Sequence, residues 1–318
     1  MFSGLSGTCS GAASHRSGPM PAHQKVPDQI IFDTFEETGA IRETARRLKV
    51  SYSTVWERLR RRNKIVVPAF NALDGHSART IPEGDTLVIS DIQAPAHHPD
   101  ALAFLCAIRD KYKPINIVCI GDEIDLNWLS DFAKMPEADR PHTEFAAGQG
   151  FMRSFYAEFS TGVSCVSNHV HGRFDRARTR GRIPAEFMRP VEDIIDAPVG
   201  WSWHSEIRMG DILFRHGHKD TQGLKRVILE EIPAKYGRNY SLVIGHYHSK
   251  IGQYTPDIKI GDRFFWGGFT GCLVDPRHPF FGYSKGYEKL GTVMIRDGRM
   301  RPFSMPVDER GRWTGELV

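Results

Sequence analysis

The sequence has no long apolar run. None of its segments approaches the roughly 20 apolar residues needed to cross a bilayer, so no transmembrane helix and no membrane partner are expected. The N-terminal stretch carries Ser, Gly and Pro where a secretory signal would have an apolar centre, so export by that route is not expected. Cysteine is scarce: Cys9, Cys106, Cys119, Cys165 and Cys272 are odd in number, scattered, and form no CxxC pair. This excludes a disulfide framework and favours a reducing, cytoplasmic setting, or the host cytoplasm if the gene is phage-borne. Cys119 and Cys165 lie inside apolar runs and read as buried thiols. Large apolar residues are rare over 1–24, which reads as a disordered leader.

With 318 residues, 40% hydrophobic and 25% charged, the chain can form one sizeable core and one small module. The net charge of +4 is slight, but its distribution is uneven. Arg46 to Lys64 holds eight basic residues against the single acid Glu57, and His171 to Arg182 holds five arginines against Asp175. Such patches suit a polyanion, although solvated surface charge would give the same pattern.

Residues 25–65 carry Ile30, Ile31, Phe35, Ile41, Ala45, Leu48, Val55 and Leu59 at helical spacing. Gly39 and the Val50–Ser53 stretch divide them into three short helices, with Ser51 or Ser53 capping the third. The segment from Ile41 to Leu59 resembles a helix-turn-helix, with small Ala45 where two helices cross. That resemblance places Tyr52, Ser53, Trp56, Arg58 and Arg60 toward DNA bases, and Arg61, Arg62 and Lys64 near phosphates. A helical hairpin used for partner binding is the alternative. Residues 66–84, rich in Pro, Gly, Asn, Asp and Ser, read as a linker.

From 85 to 318 the rhythm becomes strand, loop, helix. Apolar runs at 86–90, 115–120, 162–166, 211–216 and 241–246 read as buried strands, and further strands are expected over 258–304. Helices are expected near 99–111, 143–158 and 222–236. Nearly every buried strand ends at residues able to bind a metal: Asp91 and Gln93, Asp122 and Asp125, Asn168 and His169, His216 and His218, His246 and His248. Ligands of open α/β sheets gather at the carboxyl ends of strands. Mixed carboxylate, amide and imidazole donors suit divalent ions.

This ordered set resembles the calcineurin-like metallophosphoesterase superfamily, whose pattern is D-x-H, G-D-x-x-D, G-N-H-E/D, H and G-H-x-H, over roughly residues 85–300. The resemblance implies an α/β fold: a four-layer α/β/β/α sandwich, here with the small all-α helix-turn-helix domain at its N-terminus. It implies two divalent ions, Mn2+ foremost, with Fe2+, Zn2+ or Mg2+ as alternatives. Asp91 and His248 would hold the first ion, with Gln93 in a histidine position. Asn168, His216 and His246 would hold the second, and Asp122 would bridge them. His169 would stand at the scissile phosphate, oriented by Asp125, and water activated by the two ions would attack phosphorus.

The chain departs from that pattern at Gln93, at Ser167 in place of glycine, and at Val170 in place of an acid. Leu126 stands where the protein Ser/Thr phosphatases of the superfamily carry a phosphate-binding arginine, which disfavours a phosphoprotein substrate. His216 is preferred to His218 as the ligand, and His171 is the extra histidine expected nearest the site. Arg173 and Arg176 are expected on a loop that guides phosphate, the alternative being pairing of this arginine-rich stretch with Glu192, Asp193 and Asp196. The aromatics Phe264, Phe265, Trp266, Phe269, Phe280, Phe281 and Tyr283 read as sheet core rather than a base-stacking surface. A DNA-reading module joined to a phosphoester-cleaving one, an architecture that resembles phage and prophage proteins, leads to the expectation of a DNA-directed phosphodiesterase or nuclease. A phosphatase of nucleotides or small monoesters is the second reading. A DNA-binding regulator with a weak or silent metal site is the third.

Overall fold

The computed structural model describes residues 26–38, 41–51, 54–55, 58–59, 77–130, 140–182, 189–217, 223–281 and 287–318. The chain divides into two compact units, Met1–Ala69 and Phe70–Val318.

In the first unit, helices α1 (Asp28–Thr38) and α2 (Ile41–Leu48) are described, and residues 54, 55, 58 and 59 are helical as well. Ile31, Phe32, Ala45, Val55 and Leu59 share one small buried core. Lys49 ends α2 in a left-handed conformation (φ 52°). Ser51 Oγ then accepts the Thr54 N–H at 3.0 Å, satisfying a donor that a helix start leaves free. Among the residues expected to read DNA, Arg58 is described. Its guanidinium bonds the Val26 carbonyl and the Asp28 carboxylate (2.8 Å), so it ties the helical segment at 58–59 to α1. Tyr52, Ser53, Trp56, Arg60, Arg61, Arg62 and Lys64 lie outside the described residues.

The second unit is built on two six-stranded sheets. One has β2 (Thr86–Ile89), β3 (Asn116–Cys119), β4 (Gly162–Cys165) and β5 (Trp201–His204) parallel to one another. The antiparallel strands β13 (Gly291–Arg296) and β14 (Arg299–Ser304) complete it beyond β2. The other follows the order β1 (Arg79–Thr80), β6 (Ile207–Met209), β7 (Ile212–Arg215), β8 (Ser241–Ile244), β12 (Gly267–Thr270) and β9 (Ile251–Gln253). A small hairpin, β10 (Ile258–Ile260) and β11 (Arg263–Phe265), stands apart from both. β1 falls inside the stretch expected to be linker. Its backbone pairs with Ile207 and Arg208, so the sheet begins earlier in the chain than composition suggests.

Alternation along the strands builds the layers. In β2, Leu87 and Ile89 face a core shared with helices α3 (Ala101–Tyr112) and α4 (Pro141–Glu158), through Phe104, Leu105, Ile108, Met152 and Phe155. Val88 belongs instead to the layer between the sheets, with Val118, Ile120, Cys165, Phe214, Val243 and Trp266. Leu213, Leu242 and Ile244 point the other way, onto Leu224, Val227, Ile228 and Ile232 of a short helical stretch. A strand buried on both faces needs a continuous apolar sequence, which is why Thr-Leu-Val-Ile and Ser-Leu-Val-Ile read as core. The outcome is helix, sheet, sheet, helix, with each large buried side chain worth about 1.5–3 kcal/mol. No described helix is long and apolar enough to cross a membrane.

Candidate metal centre

Because β2, β3 and β4 are adjacent and parallel, their carboxyl ends open together. β7 and β8 do the same in the facing sheet. Three hydrogen bonds join these ends across the sandwich. The His246 N–H donates to Asp91 Oδ2 at 2.8 Å. His216 Nδ1 lies 2.8 Å from the Ile120 carbonyl, and His216 Nε2 lies 2.7 Å from Asn168 Oδ1. Ser90 also donates to Asp91 Oδ2. Two glycines make the close approach possible. A Cβ on Gly245 would lie 2.1 Å from Ser90 Oγ, and one on Gly121 would lie 2.5 Å from Ser167 Cβ.

The backbone at the site is strained. Asp91, Gln93, Asp122 and His246 hold φ values of 51°, 51°, 56° and 68°. Side-chain-bearing residues rarely adopt this left-handed region, and such conformations cluster where geometry serves function.

Asp122 occupies the centre and is fully buried. Its Oδ1 accepts the His169 N–H at 3.0 Å. Its Oδ2 lies 3.1 Å from His216 Nε2 without an aligned hydrogen bond. Asp122, His216 and His246 each offer a ligand atom within 4.8 Å of the others. Beside them, His248 Nε2 lies 3.3 Å from Asp91 Oδ1 and 3.1 Å from the Gln93 amide nitrogen. The buried Gln93 Oε1 has no hydrogen-bond partner among the described residues.

Burial opposes ionisation of Asp122, but the charges of His169 and His216 outweigh it and hold the carboxyl well below the usual range. At Asp91 burial is likewise overcome, by the hydrogen bond and charge of His248 and the charge of His216. Burial also disfavours the His216 cation, yet Asp122 and then Asp91 raise its pKa to about 9. His248 is raised too, by Asp91 against burial.

These observations fit divalent cations. With His216 Nδ1–H given to the Ile120 carbonyl, the Nε2 lone pair faces the oxygens of Asn168 and Asp122. That cluster is satisfied by a proton on Nε2 or by a cation among the three atoms, and the two compete for one lone pair. Gln93 Oε1 is a further neutral oxygen donor that nothing among the described residues uses. Asp122, Asn168, His216 and His246 would hold one ion, and Asp91, Gln93 and His248 a second.

His169 lies at the edge of this cluster, with its side chain 14% exposed. Its Nδ1 is 2.7 Å from Asp125 Oδ1 and its Nε2 is 3.8 Å from Asp122 Oδ2. Burial is again outweighed at Asp125, where the hydrogen bond and charge of His169 and the charge of Arg173 lower the pKa.

Arg173 departs from expectation. The arginine-rich stretch is not a loop: a π-helical turn, Asn168–Gly172, feeds α5, Arg173–Gly181. Arg173 lies one helical turn after His169 and is buried. It donates to the Asp125 carbonyl, stands 3.5 Å from Asp125 Oδ2, and places NH2 3.3 Å from His169 Nε2. It therefore braces the His169–Asp125 pair. Arg176 is half-buried on the same helix. Arg178 pairs with Asp175 of its own helix, and Asp196 pairs with Arg153.

His171 is buried but turned aside: it accepts the Ser167 N–H through Nδ1 (3.4 Å) and faces Glu192 through Nε2 (3.4 Å). His97 packs on the Phe151 ring, and burial lowers its pKa to about 4. His98 contacts the Gly311 carbonyl and His204 contacts Ser202. His218 lies outside the described residues. Of the C-terminal aromatics, Phe265, Trp266, Phe269, Phe280 and Phe281 are buried, Phe264 is exposed, and Tyr283 lies outside the described residues.

Sequence reasoning missed Glu144. It sits in the first turn of α4, buried, and accepts the N–H of Asn127 at the 3-10 turn (Asn127–Leu129) that follows Asp125. It therefore anchors the loop on which Asp125 is carried. Burial and the charge of Asp125 raise its pKa to about 7. Between its ordinary pKa of 4.5 and 7 the unfolded chain has ionised while the folded one has not, so Glu144 lowers stability as pH rises through that window and adds no slope above it. Glu144→Gln keeps an acceptor for Asn127 and removes the slope. Urea unfolding should find the variant more stable than the parent at pH 8 by about 2 kcal/mol, the full shift being reduced by solvent screening, and nearly equal at pH 4.5. The same stability difference at both pH values would rule out this ionisation.

No family model matches the chain, and no curated protein matches it. Among solved structures, it is similar to YfcE, a phosphoesterase from E. coli, at 13% identity and a TM-score of 0.33, covering 74% of this chain and 98% of that one. It is also similar to Vps29 from Chaetomium thermophilum (13% identity, TM-score 0.37, covering 74% and 95%). Vacuolar Protein Sorting 29 from Cryptosporidium parvum shows 14% identity and a TM-score of 0.32, covering 70% and 96%.

Proposed function

We propose that the protein is a metal-dependent phosphoesterase acting on DNA phosphodiesters. The observation that carries this reading is the convergence, from both sheets, of two adjoining groups of donors, Asp122, Asn168, His216 and His246 beside Asp91, Gln93 and His248, at one partly buried end of the strands. Bound there, a pair of divalent ions supplies Lewis acidity toward a phosphoryl group and a water of lowered pKa.

The rest of the chemistry belongs to the chain. Asp125 holds the Nδ1 proton of His169, which turns Nε2 toward the centre. When water attacks phosphorus and the ester P–O bond breaks, the leaving oxygen takes a proton from His169 Nε2. Arg173 keeps the imidazole and its carboxylate in register through contacts with both. The proton is the second one of the His169 imidazolium, whose charge the Asp125 carboxylate supports, and the largely buried ring aims it at the leaving oxygen.

DNA as substrate rests on the N-terminal unit. It has a small helical core around Ala45, a turn at Lys49 and a capped helix start at Ser51, and the sequence from Arg46 to Lys64 is strongly basic. The test compares Mn2+-dependent cleavage of labelled single- and double-stranded DNA with hydrolysis of a phosphomonoester. Faster diester cleavage is expected. Removal of residues 1–69 should weaken salt-sensitive DNA binding while a small diester is still hydrolysed. Hydrolysis confined to the monoester would overturn the DNA reading, and loss of small-diester turnover on truncation would overturn the separation of roles.

A further inference from the structure

Beside the metal centre lies a set of side chains that the chemistry above leaves unused. The His216 and His246 rings meet edge to face at 5.3 Å, and His246 meets Tyr247 at 5.4 Å. Tyr247 meets Phe269 at 5.2 Å, and Phe269 meets Tyr254 at 5.0 Å. An unbroken run of ring contacts thus leads outward from two of the ligand histidines to Tyr254, which is 50% exposed.

Lys250 lies over this run. Its Nζ is 4.7 Å from the Phe269 ring centre, 5.2 Å from Tyr247 and 5.7 Å from Tyr254. The turn that carries it is closed by the Lys250 N–H on the Tyr247 carbonyl at 3.1 Å. The ring faces attract the ammonium but do not neutralise it. Among the described residues no carboxylate forms an ion pair with Lys250, although Arg238 and Arg263 each pair with Asp211, and Arg299 of the other sheet pairs with Asp257. Packing of the lysine stem on Phe269 explains its position. It does not explain an uncompensated cation beside a half-exposed tyrosine, three ring contacts out from a ligand histidine.

We propose that Tyr254 and Lys250 form a nucleotide subsite, in which a nucleobase stacks on the Tyr254 ring and the ammonium of Lys250 takes the adjoining phosphate. The subsite deepens the function proposed above and rests on it for its biological use, but its binding can be measured without catalysis. Stacking of a base on an aromatic side chain is sequence-tolerant and worth roughly a 5- to 150-fold gain in affinity per base. A base-bearing substrate would thus be held on the His246 side of the centre, whichever base it carries.

The test is calorimetric titration of the full chain in EDTA with adenosine 5′-monophosphate and with ribose 5-phosphate. The base-bearing ligand should bind about tenfold more tightly. Tyr254→Ala should abolish that preference and Tyr254→Phe should keep it. Lys250→Ala should weaken both ligands to a similar degree. Equal affinity of the two ligands for the parent protein would overturn the subsite, as would a preference that survives Tyr254→Ala. A protein that prefers the base-bearing ligand yet hydrolyses no phosphoester with Mn2+ keeps the subsite and sinks the proposed reaction. One that cleaves DNA and shows no preference does the reverse.

Discussion

Asp122→Asn should lower kcat/KM at least about 10³-fold, equivalent to roughly 4 kcal/mol of transition-state stabilisation, while the protein remains folded. The reason is central placement. Asp122 is the carboxylate that approaches both His216 and His169, and it is the acid in the Asp122–His216–His246 cluster. The amide preserves the shape and can still accept the His169 N–H, so the β3 turn should survive. What disappears is the negative charge. The metal-free protein does not gain from that loss: against burial, the charges of His169 and His216 hold Asp122 ionised, so its charge contributes stability that the amide forfeits, although Asp91 is relieved of a buried like charge. The variant should therefore melt below the chelator-treated parent and gain little stability when Mn2+ is added, whereas the parent gains in proportion to its metal affinity. Metal analysis of the purified protein and melting with and without Mn2+ test this directly. An Asp122→Asn variant that retains full metal content and activity would remove Asp122 from the centre.

The second large effect is expected at His169. His169→Ala should slow cleavage of ordinary phosphodiesters by about 10²–10⁴-fold, the usual range for loss of a positioned proton donor. It should leave metal content unchanged, since the described ligand contacts run through Asn168 rather than His169. The discriminating measurement is dependence on the leaving group. An alkoxide leaves poorly without a proton, whereas a nitrophenolate needs little help. The variant should therefore lose far more activity on DNA than on a nitrophenyl diester. Equal losses on the two substrates would assign His169 to binding rather than proton transfer.

Much of this site was legible in the sequence because each buried strand announces its own end. Leu87-Val88-Ile89 and Leu242-Val243-Ile244 are apolar on both faces, and the first polar residues after them can only lie at the sheet's edge. Alternation then decides which residues enter the layer between the sheets. The short strands were harder to read. Arg79–Thr80 pairs for two residues and has no apolar content, so only backbone hydrogen bonds reveal it. Trp201-Ser202-Trp203-His204 does alternate between buried and exposed positions, a signal that its length obscures.

Helix α5 was misread for a different reason. Arg173–Gly181 has only Phe174 and Ala177 as apolar side chains, too few for the stripe that usually marks a helix. The spacing of four between His169 and Arg173 was the available clue, since residues so placed share a helical face. Glu144 left no comparable sign. An acid in the first turn of a helix is ordinary, and only tertiary packing turns it inward onto Asn127. In the first unit, the cap at Ser51 follows from its hydroxyl, but the tie between Arg58 and Asp28 joins residues thirty apart and has no local pattern.

The left-handed backbone at Asp91, Gln93, Asp122 and His246 sets how this protein could respond to selection. Each of these positions would sit more comfortably as glycine, which tolerates such angles without a Cβ clash. A library sorted only for heat resistance would therefore drift toward glycine first at 93, whose side-chain oxygen has no partner among the described residues, because glycine at 91 or 122 would strand the N–H groups of His246 and His169. Robustness and reactivity pull apart at Gln93 and together at Asp91 and Asp122.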